Sequence, residues 1–467
     1  MLIRDAAVYG SAHTDIRCER GAITECGSDL RPTAGEEVID AGGRWLVPGL
    51  HDHHLHIRSL AARARSVLVG PDRIRGAHAL ATRLREAALG EAGQGWIRAV
   101  DYHDDVAGAI DRWALDRMRV GRPVRVQHRS GALWILDSAA CTLLDVDDCP
   151  LPGIERDAGG RATGRLWRMD TWLRDRLGTL PPDPSPISTA AAARGITGFT
   201  DATPDLTRPE VGTLAASVLD NRIVQRVHCM AEPDIEDPKV DRFRLGPTKI
   251  LLDDTGLPDL EEFAGRLRRL HNAGRSAAVH CVTRVQLILT MAALDLAGVR
   301  PGDRIEHGAI IPDDVLDWLR RNDIPVVTQP HLLIERGEQY ARDIPAGDRP
   351  DLWRLGSLLA AGVGVAAGTD APFGDPDPWA VVRACLDRGP DRPGEALSPA
   401  TALSLFFGSP ARPHVPRTIA TGHPADLTLL RVRPEEFTDV MKSTADCDAA
   451  PVSATIVAGR PVYRTGV

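Results

Sequence analysis

Between Leu50 and about residue 414, short apolar runs of strand character alternate with stretches of helical period. This alternation narrows the possible folds more than any other feature of the chain. Eight runs qualify: GLHDHHLH, GITGFTDA, IVQRVHCM, TKILLDD, SAAVHCV, DRIEHGA, IPVVTQP and GVGVAAGTD. Successive parallel strands need a crossover long enough to return the chain, and a helix usually supplies it. The segment PDLEEFAGRLRRLHNAG before the fifth run has that amphipathic character. Eight such units predict an α/β fold, a distorted (β/α)8 TIM barrel.

Two regions fall outside the repeat. Residues 1–47 read as short strands joined by turns, and ADLTLLRV and VSATIVAGRPVY near the other end have the same character. Residues 1–47 plus 415–467 are therefore expected to form a small composite β-sandwich, with the barrel at 48–414 inserted between its halves. The block at about 57–185 does not follow the repeat, and its run PVRVQHRSGALWILDS would make a ninth strand. It reads as an insertion after the first barrel strand, expected to cover the C-terminal mouth.

Composition excludes several function classes. No stretch of 18 apolar residues is present, which argues against a membrane-spanning helix. MLIRDAAVYG lacks the basic start and apolar core of a secretory signal, so a cytoplasmic location is expected. The net charge is −8 and basic residues are interspersed with acidic ones, a pattern that predicts no nucleic-acid partner. The eight cysteines show no CxxC spacing. Cys229 and Cys281 sit in apolar runs and read as core residues, and no structural disulfide is expected.

The chemistry-bearing residues cluster at strand ends. In PGLHDHHLH, His54 and His56 are two apart and point the same way from a strand, together with Asp52, while His51 and His53 point the other way. Paired imidazoles suit a borderline divalent ion such as Zn²⁺. SAAVHCV ends near His280, DRIEHGA near His307, and GVGVAAGTDAP near Asp370. Each of these alone is compatible with a satisfied core residue. Together they occupy the positions from which barrels of this kind build active sites.

Lys249 stands out because only three of the 56 basic side chains are lysines, at 239, 249 and 442. It lies in the apolar strand TKILLDD. A buried lysine amine with a depressed pKa can be carboxylated by CO2, whereas a guanidinium cannot. The alternative is a lysine whose stem packs while its ammonium reaches water.

PGLHDHHLH, the strand lysine, VHC, RIEH and GTDAP, in this order, resemble the amidohydrolase superfamily. The long insertion with ATGRLW, together with ARGITGFTDAT, VVTQP and DAPFGDPDPW, resembles its family-3, YtcJ-like branch. The resemblance spans essentially the whole chain. It implies that His54, His56, Lys249 as N-carboxylysine, His280, His307 and Asp370 bind one or two divalent ions, commonly Zn²⁺. It further implies hydrolysis of a C–N bond, in an amide, N-acyl or cyclic amide substrate. Metal-activated hydroxide would attack, with Asp370 as general base and then acid.

The sequence departs from relatives at VHCVTR, where VHAIGD is common, and at SGALW, where many carry a DGH element. The glutamate that serves many deaminases of the superfamily shortly after the fifth-strand histidine is missing, which ranks deamination below amide hydrolysis. Ester hydrolysis and lyase or isomerase chemistry are other reactions such a site could run, and a non-catalytic barrel ranks lowest. Candidate substrate contacts are Gln329 and His331 after the seventh strand, Arg284 in the fifth loop, and Tyr102, His103, Arg129 and Trp134 in the insertion. A small-molecule substrate is the expected partner, and homodimers are common in the superfamily.

Overall fold

The computed structural model describes residues 1–11, 13–90, 95–178, 181–389, 392–442 and 451–466. The chain divides into two compact units, Met1–Ile57 with Pro184–Val467, and Arg58–Asp183.

In the first unit all eight anticipated runs contain strands. They are β1 (Leu50–Leu55), β2 (Ile196–Asp201), β3 (Arg226–Cys229), the additional β4 (Phe243–Leu245), β5 (Thr248–Ile250), β6 (Ala277–Cys281), β7 (Arg304–His307), β8 (Val326–Thr328) and β9 (Val365–Ala367). Among the described residues, the hydrogen-bonded ladder is not one continuous eight-stranded sheet. It forms two parallel arcs, β4-β3-β2-β1 and β5-β6-β7-β8-β9. The extra strand, β4, forms where Val227, His228 and Cys229 of β3 pair with Phe243, Arg244 and Leu245. Beyond β9 the chain returns to β1 through backbone bonds from Asp370 N to His54 O (2.7 Å) and from His56 N to Ala371 O (2.8 Å).

The helix before β6 illustrates how the sequence sets these elements. Asp259 caps it by accepting from the amides of Glu261 and Glu262, and Leu260–Asn272 follows. Phe263, Ala264, Leu267 and Leu270 are buried, spaced so as to line one face. The acidic first turn and the basic last turn suit the helix dipole.

Strands from both ends of the chain pair in one eight-stranded sheet of the same unit. Leu427–Leu430 runs antiparallel to Trp45–Pro48, with Leu429 opposite Leu46. Ile3, Ile16, Leu46, Leu427 and Ile456 contribute to its core. Trp45–Pro48 is separated from β1 only by Gly49, so this sheet leads straight into the strand that bears His54.

Arg58–Asp183 carries a six-stranded sheet of its own. PVRVQHRSGALWILDS is not one strand there but an antiparallel pair, Val124–His128 and Leu133–Leu136. The polar RSG segment is where the chain reverses, and a tight turn needs such residues. Ala99, Val126 and Ile135 join one core, while Trp134, Leu136 and Leu166 join another.

Among the described residues, no helix is long and apolar enough to cross a membrane, and the seven described cysteines are free.

Candidate metal centre

His54 and His56 reach one carboxylate. His56 Nε2 lies 3.1 Å and His54 Nε2 3.5 Å from Asp370 Oδ1. These three residues offer ligand atoms close enough together to hold a cation. Asp370 gets there because the end of β9 approaches β1 tightly. A Cβ on Gly368 would stand 2.6 Å from His54 N, so only glycine permits the approach. Asp52 clamps the same two chain segments, accepting from Thr369 Oγ1 (2.6 Å) and Thr369 N (3.0 Å).

The remaining predicted ligands arrive on neighbouring strands. The rings of His54 and His307 are 4.6 Å apart, and those of His280 and His307 4.5 Å. Lys249 is buried and its Nζ has no hydrogen-bond partner. His54 Nε2 is likewise buried without one. His307 and Asp370 hold φ values of 69° and 53°, in the left-handed region that non-glycine residues rarely enter. The surrounding structure must impose that strain, as it does at many active sites.

Burial sets the charge states. It pushes His54 down to about 4, with the Lys249 charge acting in the same direction. It pushes His307 down to about 3 and His280 well below the ordinary imidazole range. Neutral imidazoles are the form that ligates metals. Burial also lowers the Lys249 ammonium, against the pull of Glu306 and Asp370. For Asp370 burial favours the neutral acid, but the His56 hydrogen bond, with the neighbouring His307 and His54, outweighs it and keeps the carboxyl ionised.

Glu306 was not anticipated. It is fully buried, and one carboxylate oxygen contacts His54 Nδ1 while the other accepts from Arg304 Nε. Burial opposes its charge, yet Arg304 and then His54 hold it well below the usual carboxylate range. An acidic residue inside the apolar run RIEH was the available signal, since a buried charge requires a partner.

The predicted substrate contacts divide. Gln329 Oε1 accepts from His307 Nδ1 (2.8 Å), so it orients a candidate ligand. His331 is buried, with its Nε2 3.7 Å from Glu335 Oε1, and the charge of Asp370 acts on it. Arg284 is already paired with Asp348 and Asp351, each at 2.9 Å, and ties its helix to that loop. Tyr102, His103, Arg129 and Trp134 belong to the Arg58–Asp183 unit. There Tyr102 donates to Gly108 O, His103 Nδ1 accepts from Asp105 N, Arg129 N donates to Tyr102 O, and Trp134 Nε1 donates to Asp170.

This arrangement can be set against known proteins. The amidohydrolase family pattern matches residues 37–463. The chain belongs to the amidohydrolase family. A metal-dependent hydrolase of Pyrococcus furiosus is similar in structure, with 19% identity, TM-score 0.70, and coverage of 91% of this chain and 97% of that one. The 5-methylcytosine deaminase of Klebsiella pneumoniae matches with TM-score 0.55 at 14% identity, over 100% and 99% of the two chains. These likenesses show the shared fold. A dihydroorotase of Trichlorobacter lovleyi is 48% identical over 44 residues, 9% of this chain and 10% of the relative. The matched segment thus spans about a tenth of that relative. Family membership supports a metal-binding hydrolase, in keeping with the His54, His56 and Asp370 group.

Proposed function

We propose that this amidohydrolase cleaves a C–N bond in an amide, N-acyl or cyclic amide substrate, using His54, His56, Lys249, His280, His307 and Asp370 to hold one or two divalent ions. The observation that carries the reading is the convergence of neutral buried imidazoles, an ionised aspartate and a buried lysine with an unpartnered Nζ. That donor set fits Zn²⁺, rich in nitrogen and hard oxygen and without thiolate. Cys281, the nearest cysteine in sequence, is a buried thiol that burial pushes up to about 12, with Thr290 as its hydrogen-bond partner.

Lys249 would join the set as a carbamate. Its neutral amine adds to CO2, the N–C bond forms, and a proton leaves. The product is an anionic oxygen donor able to bridge two cations, and the depressed ammonium favours the step. When bound, the metal would polarise the scissile carbonyl and acidify water. Asp370, kept ionised by His56, would take a proton from the attacking water and deliver it to the leaving nitrogen as the C–N bond breaks.

Two observations on one preparation test the reading. Elemental analysis of protein grown with zinc should give nearly two metals per chain, falling to one or fewer in Lys249→Ala. A panel of N-acyl and cyclic amides should outperform matched esters. One metal unaffected by Lys249→Ala would refute the bridged site, and turnover by folded His54→Ala protein would refute the mechanism. Deamination is separated from amide hydrolysis by release of ammonia. Thr283 caps the helix just after His280, its side chain accepting from Gln286 N.

A further inference from the structure

The Arg58–Asp183 unit places two like charges directly side by side. Its strands Ile97–Tyr102 and Val124–His128 run parallel, with Arg98 and Arg125 as register partners. Like charges in that position repel. Both arginines are partly buried, and burial pushes each guanidinium down to about 10, from an ordinary value of about 12.5. Arg98 donates to Ser66 Oγ and to Gln127 Oε1 (3.3 Å). Among the described residues, Arg125 has neither a hydrogen-bond nor an ion-pair partner for its guanidinium, and its Nε is buried.

Nearby carboxylates do not resolve the imbalance. Asp170 favours the charged form of Arg98, but it also accepts from Trp134 Nε1 (2.8 Å) and has no such effect on Arg125. Asp101 pairs with Arg63 (3.4 Å), whose own charge weighs against Arg98. Trp134 stands opposite Gln127 on the next strand. The guanidinium carbons of Arg98 and Arg125 lie 5.3 and 5.5 Å from its ring centroid, so the indole shares in holding both cations. Desolvated cations brought together without a matching anion are costly, and mutual packing on an aromatic ring does not cancel the repulsion.

We propose that Arg98, Arg125, Gln127 and Trp134 form an oxyanion-binding site in this unit, taking the carboxylate or phosphate group of a small molecule. The free guanidinium fork of Arg125 matches the geometry of either group. Gln127 has an amide able to donate, and the indole supplies a flat apolar wall for what the anion is attached to. The proposal is independent of the metal centre and would stand if the hydrolysis reading failed.

Isothermal titration of the full-length, metal-loaded protein tests it, with sodium phosphate and sodium succinate each compared with chloride at equal ionic strength. Saturable binding of one oxyanion near one per chain is expected, with a rise in Tm. Arg125→Gln should weaken that binding by about tenfold or more, the loss of a charge-assisted contact. Arg125→Lys keeps the charge but loses the fork and should fall between the two, which guards against a glutamine variant that does not fold. Binding of phosphate alone would assign a phosphate-bearing ligand, and binding of succinate alone a carboxylate. No binding beyond chloride, or binding left unchanged in both variants, would overturn the proposal.

Discussion

His54 and Glu306, 252 positions apart in the chain, meet in the buried centre with Nδ1 of the imidazole against Oε2 of the carboxylate. The contact occupies Nδ1 and leaves Nε2 as the atom that faces Asp370 and the other candidate ligands. Arg304 holds the second oxygen of Glu306, so the carboxylate is fixed from both sides. A carboxylate behind a metal-binding histidine sets its tautomer and raises its basicity.

Glu306→Gln should therefore weaken metal binding by about 10- to 100-fold, as loss of such outer partners generally does. It should also strip Arg304 of its buried counter-charge, at a cost of about 3 kcal/mol or more. Chelator competition and urea unfolding read the two effects separately. Metal affinity within twofold of wild type would show that Glu306 does not orient His54.

Asp370→Asn should reduce kcat by about 10²- to 10⁴-fold, the range expected when a general base is lost. The asparagine keeps the size of the side chain but cannot take a proton. Turnover retained to within a factor of a few, in protein whose metal content has been checked, would remove Asp370 from the proton-transfer role.

Gly368→Ala tests the close approach of β9 to β1. The new methyl would meet backbone and Cβ atoms of His54 at 2.6 and 2.7 Å, and backbone cannot swing aside as a flexible side chain can. A stability loss of about 1–3 kcal/mol is expected, together with weakened metal binding as Asp370 is displaced. Unchanged Tm and metal content would contradict this packing.

Acid should destabilise the metal-free protein. Unfolded imidazoles bind protons below about pH 6.5. In the folded chain burial delays this to about 4 for His54, His128 and His331, and to about 3 for His228 and His307. Across that window the unfolded state takes up more protons, so stability falls as pH drops. Asp52 acts oppositely, because burial raises its folded value to about 7 and its contribution declines as pH rises toward that value. Burial likewise lowers His51, His53, His280 and His414, while Asp137, Asp170, Glu232 and Asp377 are raised as Asp52 is, so nine imidazoles stand against five carboxyls and Tm should decrease from pH 7 to pH 5. His228→Gln, away from the proposed ligands, should flatten the slope. A Tm that is constant or rises on acidification would contradict the buried neutral histidines.

Much of the candidate site is legible because it is local. His54 and His56 lie on one strand and their spacing alone puts them on one side. His280, His307 and Asp370 each follow an apolar run, and a strand end is readable from where such a run stops. Lys249 was conspicuous in a chain that otherwise uses arginine. The partners of the candidate substrate contacts are not legible in this way. Arg284 is a candidate substrate contact by sequence, but the partners that engage it, Asp348 and Asp351, come from a loop 64 and 67 positions further on. Gln329 is a candidate substrate contact by sequence, and in the structure its side chain engages His307. Side chains with several possible partners reveal their choice only when the loops are placed.

The sequence by itself determined the alternation of strands and helices, the eight expected barrel runs and the histidine, lysine and aspartate positions at their ends. Each depends on the 2.0- and 3.6-residue periods and on which residues avoid water, and a chain carries that information locally. Tertiary structure decided the break of the ladder into two arcs, the contact of Glu306 with His54, the clamp of Asp52 on Thr369, and the pairing of Arg98 with Arg125. These joined residues range from 27 to 317 positions apart along the chain. Which distant polar groups satisfy one another follows from strand register and from how closely glycine lets backbones approach, and neither exists until the chain has packed.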